Sequence, residues 1–123
     1  MAVEVRNKGW MTEELADCLR ASNAVWVLPD QAWMPSPLAV LSKLDPVTGP
    51  FAYVRLLGDR DEVDKRTKTM NQTVVDRSAQ IAADAEAVYQ LRGRVPVLVF
   101  VNNHYAGYAH ETIEQLRRAM QRA

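Results

Sequence analysis

A cluster of polar side chains that could carry out chemistry follows the most apolar run of the sequence. Residues 95–101, VPVLVFV, lead directly into Asn102, Asn103, His104 and Tyr105. A continuous Val-rich run is typical of a parallel strand that is buried on both faces. Ligands bind parallel sheets just beyond the carboxyl ends of the strands. The sequence therefore predicts a site at this point of the chain.

Within this cluster, His104 is the candidate catalytic acid or base, because the ordinary pKa of an imidazole lies near neutrality. The amides of Asn102 and Asn103 are suited to orienting a ligand or donating hydrogen bonds to an oxyanion. Tyr105 would form a wall of the same pocket. A purely structural interpretation stays open, since asparagine is a common loop residue and a histidine can hold a loop by hydrogen bonds.

Three charged residues lie within otherwise apolar predicted strands. Glu4 and Arg6 occupy alternate positions of residues 2–6, and Arg55 stands in the run FAYVRLL. Glu4 is a candidate general base, and Arg6 and Arg55 are candidates for binding an anion, because guanidinium groups bind anionic oxygens in pairs of hydrogen bonds. The alternative is a structural ion pair between Glu4 and Arg55.

Two further ligand-binding candidates stand in loops. Asp30 ends the second predicted strand, where it could bind a ligand or cap the next turn. Lys68, with Lys65 and Arg66, could hold a phosphate group. The same loop is rich in Asp and Glu, so a solvated charged segment is the alternative.

Several familiar sites are missing from the sequence. The chain has no Cys/His cluster with zinc spacing, no glycine-rich phosphate loop after a strand and no serine in a nucleophile elbow. We therefore predict neither a metal nor a cofactor.

The composition is that of one globular domain spanning residues 1–123. Lys plus Arg and Asp plus Glu number 15 each, so the net charge is zero, which argues against a broad phosphate-binding surface. The sequence has no apolar run long enough to enter a membrane, and we expect a cytoplasmic protein. Trp26 is a predicted core residue. Cys18 is predicted to be core rather than a reactive thiol, and Trp10 and Trp33 to be core rather than aromatic lids.

Hydrophobic periodicity predicts four strands that alternate with four helices. The strands are predicted at residues 2–6, 24–28, 51–57 and 95–101, and the helices start at about residues 12, 37, 78 and 110. Strict alternation of this kind implies a parallel sheet with right-handed crossovers. A flat sheet would bury Glu4, Arg6 and Arg55 between two dry faces at high cost. A barrel interior accommodates them better, although a complete (β/α)8 barrel needs about 250 residues.

Five segments together resemble the carboxyl-terminal half of the YecE-like family, domain of unknown function seventy-two. They are EVRNKGW (residues 4–10), DQAWMP (30–35), FAYVRLLGDR (51–60), KRTKT (65–69) and VNNHYAGYA (101–109). The resemblance implies four consecutive β/α units that form half of a TIM-like barrel, and it implies no particular reaction. Loops after the last two strands of such barrels commonly bind phosphate.

The function we expect is a ligand-binding, enzyme-like barrel module for a small anionic or polar substrate. Nucleic-acid binding or processing is an alternative that the neutral composition disfavours. An inactive half barrel or interaction module is a second alternative. Half a barrel leaves strand edges unpaired, so we expect a homodimer or an association with a missing amino-terminal half.

Overall fold

In the part of the chain that the structure describes, four parallel strands alternate with four α-helices. The computed structural model describes residues 1–31, 34–58, 78–102 and 109–121. The strands are β1 (Ala2–Val3), β2 (Val25–Gln31), β3 (Ala52–Gly58) and β4 (Val97–Val101), and the helices are α1 (Glu13–Ala21), α2 (Pro37–Lys43), α3 (Ser78–Arg92) and α4 (Ala109–Met120). The sheet order is β1-β2-β3-β4, with every neighbouring pair parallel. This arrangement confirms the predicted fold class of four consecutive β/α units.

The two sides of β3 differ in what covers them. Val54 and Leu56 are completely buried and pack with α3 and α4 through Ile81, Val88 and Leu116. We call this side, represented in β3 and β4 by Val54, Leu56, Val97, Val99 and Val101, the covered face. The opposite side, carrying Tyr53, Arg55, Leu57, Leu98 and Phe100, is only partly buried or exposed, and we call it the open face.

The prediction that the Val-rich last strand is buried on both faces is wrong. On β4, Val97, Val99 and Val101 pack against the core, whereas Leu98 is 55% and Phe100 46% exposed. The helices that the structure describes pack on one side of β4, and the side chains that alternate to the other side are exposed. Composition alone could not separate the two sides, because both carry apolar residues.

The second strand is longer than predicted. It continues through Pro29 and Asp30 to Gln31, where the sequence indicated a stop after Leu28. Val25 donates its N–H to Met1 on the β1 side, so by alternation the Pro29 nitrogen also points to that side. β1 ends at Val3, and a proline there forfeits no ladder hydrogen bond.

The helix starts agree with the sequence signals. Thr12 caps α1, its Oγ1 accepting from the Leu15 N–H at 3.3 Å, and Ser36 caps α2, its Oγ accepting from the Ala39 N–H at 3.2 Å. Asn23 ends α1 with a φ of 53°, a left-handed conformation that asparagine tolerates after a helix. These caps fix where each crossover leaves the sheet.

Trp26 is buried as predicted, but two other core predictions are wrong. Trp26 is 1% exposed and packs with Ala16 and Leu19 of α1. Cys18 is exposed, because Ala16 and Leu19 set the buried stripe of the helix and Cys18 lies off it. Trp10 is 61% exposed in a short 3-10 helix, Lys8–Trp10, that buries no residue.

The amino-terminal end of the sheet is held by hydrogen bonds between loops. The Thr48 hydroxyl donates to the Ala24 carbonyl at 2.6 Å and accepts from the Trp26 N–H at 3.1 Å. Arg94 binds both carboxylate oxygens of Asp45 at 2.8 and 3.0 Å, and Arg20 donates to the Asp45 carbonyl. The bidentate pair joins the α2–β3 loop to the α3–β4 loop.

Candidate functional site

An ion pair on the open face links two strands that are not neighbours. Glu4 follows β1 and Arg55 lies in β3, so the pair crosses β2, which separates them. Arg55 Nη1 donates to Glu4 Oε1 at 2.8 Å, and the Glu4 side chain is only 12% exposed. Val27 and Pro29, the β2 residues on this side, are both buried beneath it. The structural ion pair that the sequence left open is therefore present.

Arg6 adds a second cation to the same carboxylate. Its Nε donates to Glu4 Oε2 at 3.0 Å, so each oxygen of Glu4 serves a different guanidinium. We call Glu4, Arg6, Arg55 and the adjacent Phe100 ring the ionic cluster. Two arginines and one glutamate give this cluster one excess positive charge.

Phe100 of β4 completes the surroundings of Arg55. The guanidinium carbon lies 5.4 Å from the Phe100 ring centroid, within the range of a cation–π contact. The two residues are also register partners across β3 and β4. Among the described residues, Arg55 donates only the one hydrogen bond to Glu4, whereas a guanidinium has five N–H donors. Within the described residues, the remaining N–H groups of the arginine therefore have no protein acceptor.

Asn102 extends β4 toward the same side. Its N–H donates to the Leu56 carbonyl at 3.0 Å, which continues the β3–β4 ladder by one residue. By the period of two, Asn102 lies on the side of Leu98 and Phe100. It is partly buried. Of the predicted site residues, the structure therefore brings together Glu4, Arg6 and Arg55, with Asn102 on the same side of the sheet.

Asp30 does not join this group. It pairs in register with Leu56, so it lies on the covered face rather than beside Arg55. There it lines a cavity of about 300 Å³ between α2 and α3 together with Ser36 and Asp84. Asp84, a 1% exposed carboxyl of α3, was not anticipated from the sequence, because its position in the helix reads as an ordinary polar residue.

A second cavity, of about 500 Å³, also lies on the helix side. Met11, Met34, Val40 and Leu44 form its apolar part, and Lys8 and Lys43 are among its lining residues. None of its lining residues belongs to the open face. The cavity and the ionic cluster are therefore separate features of the molecule.

The remaining predicted site residues lie outside the described part of the chain. These are His104, Asn103, Tyr105 and Lys68, together with Lys65 and Arg66. Their roles stay predictions, as does the core position of Trp33, which also lies outside the described residues.

One member of the ionic cluster was missed by the sequence interpretation. Phe100 stood in a run that was taken as uniformly buried, although pairing β3 with β4 in register would have set it beside Arg55. Within the described ranges, no three His, Cys, Asp or Glu side chains are grouped so that they could hold a metal ion. None of the described helices combines the length and apolar character needed to cross a bilayer.

Comparison with known families decides the relationship that the motifs suggested. A model named protein of unknown function DUF72 matches residues 1–123, which is the whole chain. The chain belongs to the DUF72 family. YecE-like is another name for this family, so the resemblance in the sequence is confirmed. No curated protein matches the chain.

Two solved DUF72 structures show how much of a family member the chain represents. A protein from Enterococcus faecalis V583 has a TM-score of 0.69 and 19% identity, with 99% of this chain and 47% of that chain covered. A protein from Thermotoga maritima MSB8 has a TM-score of 0.70 and 24% identity, with 98% and 46% covered. The chain thus spans about half the length of these DUF72 structures and shares their fold over that half.

Proposed function

We propose that this DUF72 chain is a ligand-binding, enzyme-like module whose open face takes a small anionic substrate. The observation that carries the proposal is the fixed orientation of Arg55, which is held by the Glu4 carboxylate and the Phe100 ring. A cation that is fixed before the ligand arrives loses little conformational entropy on binding. Arg55 is also 28% exposed, so a ligand can reach it.

The charge of the ionic cluster supports an anion rather than a cation as ligand. Glu4 is shared between two guanidinium groups, and the cluster retains one positive charge. A carboxylate or phosphate oxygen can accept from the Arg55 N–H groups that Glu4 does not use, and paired contacts of this kind are strong. Glu4 is here a positioning residue, and a role as general base is a separate possibility for the same carboxylate.

The position of the cluster in the sheet supports the same proposal. Glu4 directly follows β1, and Phe100 and Asn102 lie at the carboxyl end of β4. In β/α barrels the loops at this end carry the reacting groups. His104 and Asn103 follow Asn102 immediately in the sequence, and we assign them to the reaction and to ligand orientation.

The proposal is tested by the thermal stabilisation that anions confer. Phosphate, a phosphate monoester and a carboxylate should each raise the melting temperature, whereas a neutral sugar should not. A ligand at a hundred times its dissociation constant adds about 2.7 kcal/mol to the free energy of unfolding. For a domain of this size, that stabilisation corresponds to a rise of several degrees.

Arg55→Met is the decisive variant, because it keeps much of the side-chain volume and removes the charge. Arg94→Met is the matched control, since Arg94 is also an ion-paired arginine but lies away from the open face. We expect Arg55→Met to lose the response to anions and Arg94→Met to keep it. An unchanged response in Arg55→Met, or an equal loss in both variants, would remove the open face as the anion site.

A further inference from the structure

The open face carries apolar side chains that nothing in the described chain covers. Leu98 is 55% and Phe100 46% exposed, and both lie on the last strand of the sheet. Tyr53 is the register partner of Leu98 and lies on the same side. Monomeric proteins rarely leave such a contiguous apolar surface in water, and where they do it commonly marks an interaction site.

The two outer strands add backbone groups to this surface. Within the described residues, β1 pairs only with β2, and β4 pairs only with β3. Each outer strand therefore has one edge whose N–H and C=O groups make no ladder contact there. Exposed edges of this kind pair readily with a strand of matching polarity from another chain.

The length of the family members indicates what closes the face. One copy of this chain covers 46% to 49% of each solved DUF72 structure, so two copies supply nearly a full family length of β/α units. Because the sheet order is sequential and all strands are parallel, β4 of one copy can lie beside β1 of another with the polarity preserved. A rotation of half a turn about the barrel axis repeats the same junction, so the ring closes at two copies.

We propose that the open face is the interface with a second copy of this chain, and that two copies form one closed eight-stranded barrel through two identical β4–β1 junctions. The zero net charge of the chain places no general repulsion between the copies. The closed interior would enclose both ionic clusters. This inference rests on exposure and strand edges, and it places the proposed anion site of each copy inside the closed barrel.

Sedimentation of the whole chain tests the proposal directly. At tens of micromolar (about the range where weak dimers associate) we expect a single species with the mass of two copies and no larger species. A stable monomer at that concentration overturns the proposal. Growth to larger species with rising concentration also overturns it, because an open chain of copies is not a closed ring.

Two variants locate the interface. Leu98→Asp introduces a charge on the open face and should raise the dimer dissociation constant by more than about tenfold, because closure would bury that charge. Ala82→Asp introduces the same charge on the exposed side of α3 and should leave the constant unchanged. Circular dichroism of both variants checks that they remain folded. If Leu98→Asp is folded and dimeric with an unchanged constant, the interface lies elsewhere and the proposal is wrong.

One competing outcome concerns a different occupant. A monomeric chain that forms a one-to-one complex with a separately supplied amino-terminal half of a DUF72 protein would assign the open face to that half. Such a result would overturn closure by a second copy. It would not decide whether Arg55 binds an anion, which the thermal stabilisation experiment tests.

Discussion

The covered and open faces of the same sheet differ in burial and in charge. On β3, Leu56 is completely buried on the covered face, while Arg55 beside it lies partly exposed with an ion pair on the open face. The covered face is filled by apolar side chains of α3 and α4, which contribute stability by burial. The open face has no such cover among the described residues and carries the ionic cluster. Two adjacent residues of β3 thus differ in role: Leu56 stabilises the fold, and Arg55 belongs to the face for which we propose a ligand.

The largest difference in the free energy of unfolding is expected between alanine substitutions at two neighbouring leucines, Leu56 and Leu57. Leu56→Ala should lower the free energy of unfolding by about 2–5 kcal/mol, because it leaves a cavity in a well-packed core. Leu57→Ala, on the partly buried open side of the same strand, should cost about 1 kcal/mol. Urea unfolding at a protein concentration low enough to avoid association measures both. Equal losses would mean that the open face is packed as tightly as the covered one.

The next effect concerns the ion pair across β2. Arg55→Met should cost about 2 kcal/mol, typical of losing a hydrogen bond between charged groups. A buried pair that loses one partner costs about 3–5 kcal/mol, but Glu4 here keeps its bond to Arg6. Adding Glu4→Gln to Arg55→Met should recover part of the loss, since a neutral amide then replaces the carboxylate that lost its partner. Urea unfolding of the single and double variants checks this, and a double variant that is less stable by the full sum would contradict the coupling.

The smallest effect on the free energy of unfolding is expected from the Asp45–Arg94 ion pair at the amino-terminal end of the sheet. The Arg94 hydrogen bonds hold the pKa of Asp45 below its ordinary value. A depressed carboxyl pKa contributes stability above the unfolded pKa of about 3.9, and this contribution disappears as the pH falls below that value. Both side chains are about half exposed, at 48% and 52%, so we expect only about 0.5–1 kcal/mol.

Comparing the parent with Arg94→Met in urea isolates this contribution. The two proteins should differ by that amount at pH 7 and should converge as the pH falls through the lowered pKa that Asp45 has in the folded protein. A difference that stays constant, or that grows toward acid pH, would contradict the proposed origin of the shift.

The sequence predicted those features that depend on local signals and periodicity. The helix starts near residues 12 and 37 and the four parallel strands all appear in the structure. The sequence failed where neighbouring elements decide the outcome. The exposure of Leu98 and Phe100 depends on which side of β4 the helices cover, and the strand position of Pro29 depends on where β1 ends.

The same distinction applies to the site. The pairing of Glu4 with Arg55 was foreseen as an alternative because both are charges on apolar strands. The separation of Asp30 from the ionic cluster was not predicted. The sequence indicated that the strand ends before Asp30, whereas β2 continues to Gln31 and Asp30 lies on the covered face. The parity of a strand residue can be assigned only when the strand end is known.

The resonance of the Arg55 side chain can report directly whether the open face binds an anion through Arg55. Phosphate titrated into nitrogen-15-labelled protein should shift the Arg55 Nε–H resonance along a saturating curve. Assignment through Arg55→Met and Arg94→Met identifies the two signals, and the Arg94 resonance should stay in place or drift linearly with ionic strength. An Arg55 resonance that does not move, or that moves only as the Arg94 resonance does, would mean that Arg55 does not bind phosphate.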